Sequence, residues 1–198
     1  MRKVNENGRS MVEMLGVLAI IGVLSAGGLA GYSKAMFKHK MNSTLDQITM
    51  LVTNIRTMYG TQDNYEDLTA AQAIQLGIIP AAMKNGSALV SPFKGPVTIA
   101  TSKASNATGA PDNTAFVVKY SGLPSEACIN LATAEWGTGA GSGFIGVKAT
   151  ASGDASADGA YVGTTFDSSR AEGVPYKVGD AITACGNANT SSVSFKFY

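Results

Sequence analysis

Apolar positions fall into three patterns along the chain. The first is continuous. Residues 11–31 read MVEMLGVLAIIGVLSAGGLAG, with Glu13 as the one charged side chain. As a helix this stretch is about 31 Å long, the thickness of a bilayer core. The second pattern is periodic. Met41, Leu45, Ile48, Val52, Ile55 and Tyr59 recur at alternating intervals of four and three, which is one face of a helix. Lys38, Lys40, Asp46, Gln47, Asn54 and Arg56 occupy its other faces. The two patterns join without a break, so a single helix of roughly 75 Å is predicted over 10–59. Its first half, 9–31, is apolar all round, and its second half, 32–59, is amphipathic.

The third pattern alternates. Phe116, Val118 and Tyr120 are interleaved with Val117 and Lys119, and Val193, Phe195 and Phe197 with Ser194, Lys196 and Tyr198. Both read as strands. Residues 97–99, 144–147 and 161–166 are shorter strand candidates. Gly60 ends the long helix, and TQDNYED follows as a loop. Residues 68–76 form a short helix, and 78–80 lead into a connecting loop that runs to Phe93. Residues 124–135 form a helix with Pro124 in its first turn. Residues 137–173 are rich in Gly, Ala, Ser and Thr, and read as surface loops around short edge strands. The fold class is therefore α+β: a long N-terminal α-helix packed on a C-terminal globular head, 60–198, built on an antiparallel β-sheet.

Charge and composition exclude several functions. The chain of 198 residues carries 15 basic and 14 acidic side chains. Nucleic-acid binders show a clear basic excess, so no nucleic acid is indicated as a partner. The single histidine, His39, lies on the polar face just after the apolar run, where a solvated role is the simple reading. No GxSxG, HExxH or phosphate-binding loop is present. The carboxylates of the head are scattered. A membrane-anchored periplasmic enzyme is the rival from a different class, and these residues offer it no catalytic group, cofactor or metal. Asp154 to Gly159 faintly suggests the start of a calcium loop, but Thr165 stands where a bidentate Glu belongs, so a surface turn is preferred.

The N-terminus decides the class. Residues 1–8 read MRKVNENG, and Arg2 and Lys3 favour a cytoplasmic N-terminus with the rest of the chain exported. Three readings fit: a cleaved secretory signal with small residues near Ser25 and Ala26, a plain anchor, or a leader removed on the cytoplasmic side before the apolar run. Glu13 separates them. An acid within a membrane span costs roughly 3 kcal/mol, and neither a signal peptide nor a passive anchor gains from it. If the chain is cut after Gly8, a new α-amino group at Arg9 lies four residues from Glu13. That amine, or the one on a neighbouring subunit, then supplies the cationic partner. Such a pair confers register more than stability. Gly22, Gly27 and Gly28 fall inside the apolar half. They suit close helix packing in a membrane, and equally a stretch that unwinds when the subunit leaves it. For Cys128 and Cys185, the two readings are buried thiols and a disulfide, and export favours the disulfide.

Gly8-Arg9-Ser10-Met11-Val12-Glu13 followed by an apolar helix resembles the signal of type IV pilins and pseudopilins. The resemblance implies cleavage after Gly8 by a prepilin peptidase, methylation of Arg9, and a register role for Glu13 as fifth residue of the mature chain. Arg9 departs from the apolar residue usual at that position. Cleavage after Ser10 would instead give Met11 first but leave Glu13 third. A large head, a cysteine on a helix after a strand and a second cysteine before the final strand resemble the type IVb class. That class implies a Cys128–Cys185 disulfide bounding the surface-exposed region 128–185. The function implied is the structural subunit of a type IV pilus. It would wait in the inner membrane among lipid with its head exported, then be polymerised with copies of itself by an inner-membrane assembly machinery into an extracellular filament. The alternatives within this resemblance are a minor pilin and a type II secretion pseudopilin.

Overall fold

The computed structural model describes residues 11–105, 109–137, 142–152, 162–163 and 176–198. The chain divides into two units, 1–40 and 41–198. Helix α1 (Met11–Tyr59) starts in the first and ends in the second. In the first unit every large apolar side chain from Met11 to Leu29 is exposed, by 48 to 80%. This half of α1 is helical because its Leu, Ile, Met and Ala content tolerates the glycines, and nothing within the unit covers it.

The second unit contains the remaining elements. In order these are α2 (Ala70–Gln75), a 3-10 turn (Ala81–Met83), β1 (Lys84–Asn85), β2 (Ala88–Val90), β3 (Pro96–Ser102), β4 (Ala115–Leu123), α3 (Ser125–Thr133), β5 (Phe144–Thr150), β6 (Val162–Gly163), α4 (Val178–Cys185) and β7 (Ser191–Phe197). The strands form one antiparallel sheet in the order β1-β2-β3-β4-β7-β5-β6. The register aligns Ile99, Val118, Phe195 and Val147 in one cross-strand row. Phe116, Phe197 and Phe144 form the next, with ring centroids 5.8 and 5.5 Å apart. Such rows are the unit of sheet stability.

The α1 residues in this unit bury Met41, Thr44, Ile48, Leu51, Val52, Ile55 and Tyr59. The expected stripe is thus present, except that Leu45 is only half-buried and Thr44 and Leu51 join it. The helix is tied down by polar contacts as well. Asn54 Nδ2 donates to the Ile78 carbonyl at 2.8 Å, and Arg56 Nη1 to the Ser142 carbonyl at 2.9 Å. Tyr59, Tyr65 and Phe116 stack in sequence at 5.5 and 4.9 Å, joining the helix end to β4 through the loop that follows it.

Several expectations are corrected. The short helix runs only over α2, because Thr69 caps it: its hydroxyl accepts from the Gln72 N–H, and Gln72 Oε1 accepts from the Thr69 N–H. The connecting loop expected before Phe93 contains the β1–β2 hairpin, turned at Gly86 with φ +62°. Helix α4 occupies a stretch for which the sequence pattern predicts no element. Strand β5 is not an edge: it lies between β7 and β6 and buries Phe144, Ile145, Val147 and Ala149. Only Val162–Gly163 of the 161–166 candidate is a described strand, and the calcium-like turn at 154–159 lies outside the described residues. On β7 the interleaved Ser192, Ser194 and Lys196 are as buried as the apolar residues, so this is a central strand covered on both faces.

Candidate functional site: the assembly helix and the disulfide-bounded head

Two arrangements stand out, and they follow from different parts of the sequence. The first is the exposed apolar half of α1. It is the one described helix long and apolar enough to cross a membrane. A folded domain in water does not leave so many adjoining Leu, Ile, Val and Met side chains uncovered unless lipid or another protein takes them up. Glu13 lies in the first turn of this helix, on its exposed surface, where a carboxylate favours the helix dipole. Gly22, Gly27 and Gly28 are all helical, and a Cβ at any of them would meet nothing within 4 Å in the single chain. Gly8 and Arg9 lie outside the described residues.

The second arrangement is the α3–α4 pair. Cys128 on α3 and Cys185 at the end of α4 form a disulfide with Cα atoms 5.9 Å apart, and both residues are fully buried. Polar bonds surround it. The Ser125 hydroxyl donates to the Gly186 carbonyl, just past α4. The Ser191 hydroxyl donates to the Cys185 carbonyl at 2.7 Å, which fixes the entry to β7. Trp136, after α3, donates its indole N–H to the Leu131 carbonyl and lies against Phe195 of β7 with centroids 4.3 Å apart. Export and the resemblance to the type IVb class suggested the bond; the serine and tryptophan contacts had no signal, because their partners lie on the backbone or on a distant strand.

A third feature is structural and was also not legible. Between β2 and β3 the backbone at Gly95 passes so close to β4 that a Cβ there would lie 1.8 Å from the Ser121 carbonyl oxygen. Gly122 opposite it has φ +66°. The close approach accompanies the irregularity in β4–β7 pairing between Tyr120 and Leu123. Among the described residues no group of three His, Cys, Asp or Glu side chains could hold a metal.

A long N-terminal helix, an antiparallel sheet and a disulfide-closed region ahead of the last strand together define the type IV pilin fold. The crystal structure of TcpA, a type IV pilin from Vibrio cholerae El Tor biotype, superposes with a TM-score of 0.53 at 16% identity, covering 81% of this chain and 99% of that one. A type IVb pilin structure from Salmonella typhi gives a TM-score of 0.49 at 19% identity, covering 78% and 97%. In sequence, the chain is 25% identical over 142 residues to the major structural subunit of bundle-forming pilus of Escherichia coli O127:H6 (strain E2348/69 / EPEC), and equally to that of Escherichia coli O111:H-. Each alignment covers 71% of this chain and 70% of the relative. The PilS N-terminal family profile matches residues 38–196, and the chain belongs to this family.

Proposed function

We propose that this chain is a structural subunit of a type IV pilus, with the architecture of the type IVb class, and not a catalyst. The observation that carries the reading is the uncovered apolar half of α1 on a chain whose described residues from 41 onward form a disulfide-closed pilin head. In this account residues 1–8 are a leader removed by a prepilin peptidase between Gly8 and Arg9, and the new amino group is methylated. Residues 9–31 hold the subunit in the inner membrane with its head exported. The assembly machinery then moves that helix from lipid into a bundle of identical helices, and the filament emerges on the cell surface.

Energetics suit both stages. Nine Val, Leu and Ile residues between Val12 and Leu29 each favour the membrane by about 0.3–0.6 kcal/mol, roughly 3–5 kcal/mol together. Glu13 offsets up to about 3 kcal/mol of that. The span is therefore held in lipid by a small margin, which suits a helix that must later leave. In the filament the Glu13 carboxylate is neutralised by an N-terminal amine, its own or a neighbour's, because an uncompensated charge among packed helices costs several kcal/mol. The likeness to a major pilus subunit over most of the chain favours this reading over a minor pilin or a secretion pseudopilin.

The test is Glu13→Ala in a strain that assembles this pilus. The variant should be inserted and processed at wild-type levels yet give few sheared filaments. Abundant normal filaments would contradict the register role of Glu13.

A further inference from the structure

Charge is unevenly placed among the described residues. Lys34, Lys38 and Lys40 fall within seven residues of α1, and Lys34 and Lys38 are exposed. Asp63, Glu66 and Asp67 fall within five residues of the loop after α1, and all three are exposed. Asp112 is engaged by Lys103 at 3.0 Å, whereas Lys34, Lys38, Asp63 and Glu66 make no ion pair with any described residue.

The acidic loop is held firmly by its own fold. Between the acids, the Tyr65 ring is wedged between Tyr59 and Phe116, and its N–H donates to the Asn113 carbonyl at 2.7 Å. The Glu66 N–H donates to Asn64 Oδ1 at 3.0 Å. Leu68 is buried, and its N–H donates to the Tyr65 carbonyl at 3.0 Å. The carboxylates are therefore displayed from a backbone already ordered, so a partner need not order it.

The lysine collar, by contrast, follows the apolar run and adds nothing to the cytoplasmic N-terminus that Arg2 and Lys3 favour, so membrane orientation gives it no role. A helical polymer requires two different, complementary patches on each chain. Three lysines and three carboxylates meet that requirement.

We propose that in the filament the collar of one subunit, Lys34, Lys38 and Lys40, docks on Asp63, Glu66 and Asp67 of another copy. This rests on the reading that the chain polymerises. Single exposed pairs contribute little, but a matched group of charges selects the correct neighbour and repels a misplaced one.

The test uses the full chain in a pilus-assembling strain. Three variants are compared with wild type: Lys34→Glu, Lys38→Glu and Lys40→Glu together; Asp63→Lys, Glu66→Lys and Asp67→Lys together; and all six combined. Head folding is checked in each by disulfide formation and protease resistance, and Lys34→Gln with Lys38→Gln provides a milder collar variant. Each reversal should lower sheared filament yield about tenfold or more, the neutral variant less, and the combination should restore most of it. In wild-type filaments built from mixed light and heavy isotope subunits, carbodiimide should join a collar lysine Nζ to a loop carboxylate between chains, with loss of one water per bond. Reversals that assemble like wild type, or a combination no better than its parts, overturn the contact. Loss of the collar variant from vesicles of anionic lipid, without rescue by the combination, assigns the collar to lipid headgroups instead. A wild-type chain that yields no filament overturns the polymer reading, and this contact with it.

Discussion

Replacing both Cys128 and Cys185 by alanine should weaken the head by about 4–5 kcal/mol. The bond joins residues 57 apart, and closing a loop of that length contributes about 4 kcal/mol at 25 °C in the chain-entropy account. Both side chains are fully buried, so alanine adds a small cavity cost of about 1 kcal/mol or less. For a domain of this size the melting temperature should fall by roughly 8–20 °C. Trp136 provides the assay, since the chain has one tryptophan and it lies against Phe195 beside the α3–α4 junction. Its fluorescence during urea unfolding of the detergent-solubilised protein reports that junction directly. The competing possibility is that the Ser125–Gly186 and Ser191–Cys185 hydrogen bonds hold the junction without the covalent link. A loss below about 1 kcal/mol would mean that those bonds, and not the disulfide, hold the junction.

Two further predictions concern the sheet and the helices. Gly95→Ala should destabilise the head by at least about 3 kcal/mol, because the clash is with backbone and cannot relax cheaply, whereas Gly179→Ala on open α4 should add about 0.5–1 kcal/mol; urea midpoints of the two variants check the contrast. Burial raises the Tyr120 hydroxyl above its ordinary value of 10, and it has no hydrogen-bond partner among the described residues. A tyrosine whose folded value is raised contributes stability that is complete below the unfolded value and is lost as pH climbs through the folded one. The head should therefore weaken above about pH 10, and Tyr120→Phe should reduce that alkaline loss while leaving neutral stability equal or higher by about 1 kcal/mol. Unfolding curves at pH 7 and 11 that fail to separate the two proteins would contradict this.

The long helix was legible because a continuous apolar run passes without a break into a periodic one, and burial of Ile48, Val52, Ile55 and Tyr59 follows from spacing alone. Leu51 was missed because a helix pressed on a sheet buries a wider arc than a single stripe. Strand β5 was undervalued for its setting in a Gly- and Ser-rich stretch. Composition describes the neighbourhood, whereas Phe144 and Val147 are placed by pairing with β7, a long-range fact. The alternation on β7 identified a strand but suggested one wet face. Ser194 and Lys196 are buried because the second face of this mid-sheet strand is covered as well, and no local pattern encodes that. Helix α4 has only eight residues and includes Gly179, too short and too interrupted for periodicity to stand out. Of the candidate sites, the Cys128–Cys185 bond was legible from the expected export and the family resemblance, and the structure joins the two residues. The Gly95–Ser121 approach and the anchored acidic loop arise from tertiary packing, and neighbouring residues carry no sign of them.

Processing and polymerisation of this chain are read together from intact mass and N-terminal peptide mapping of the protein in sheared surface filaments. The expected chain begins at Arg9, carries one added methyl group, and lacks two hydrogens through the Cys128–Cys185 bond. A chain that begins near Gly27, found in the soluble secreted fraction and absent from filaments, would contradict that expectation.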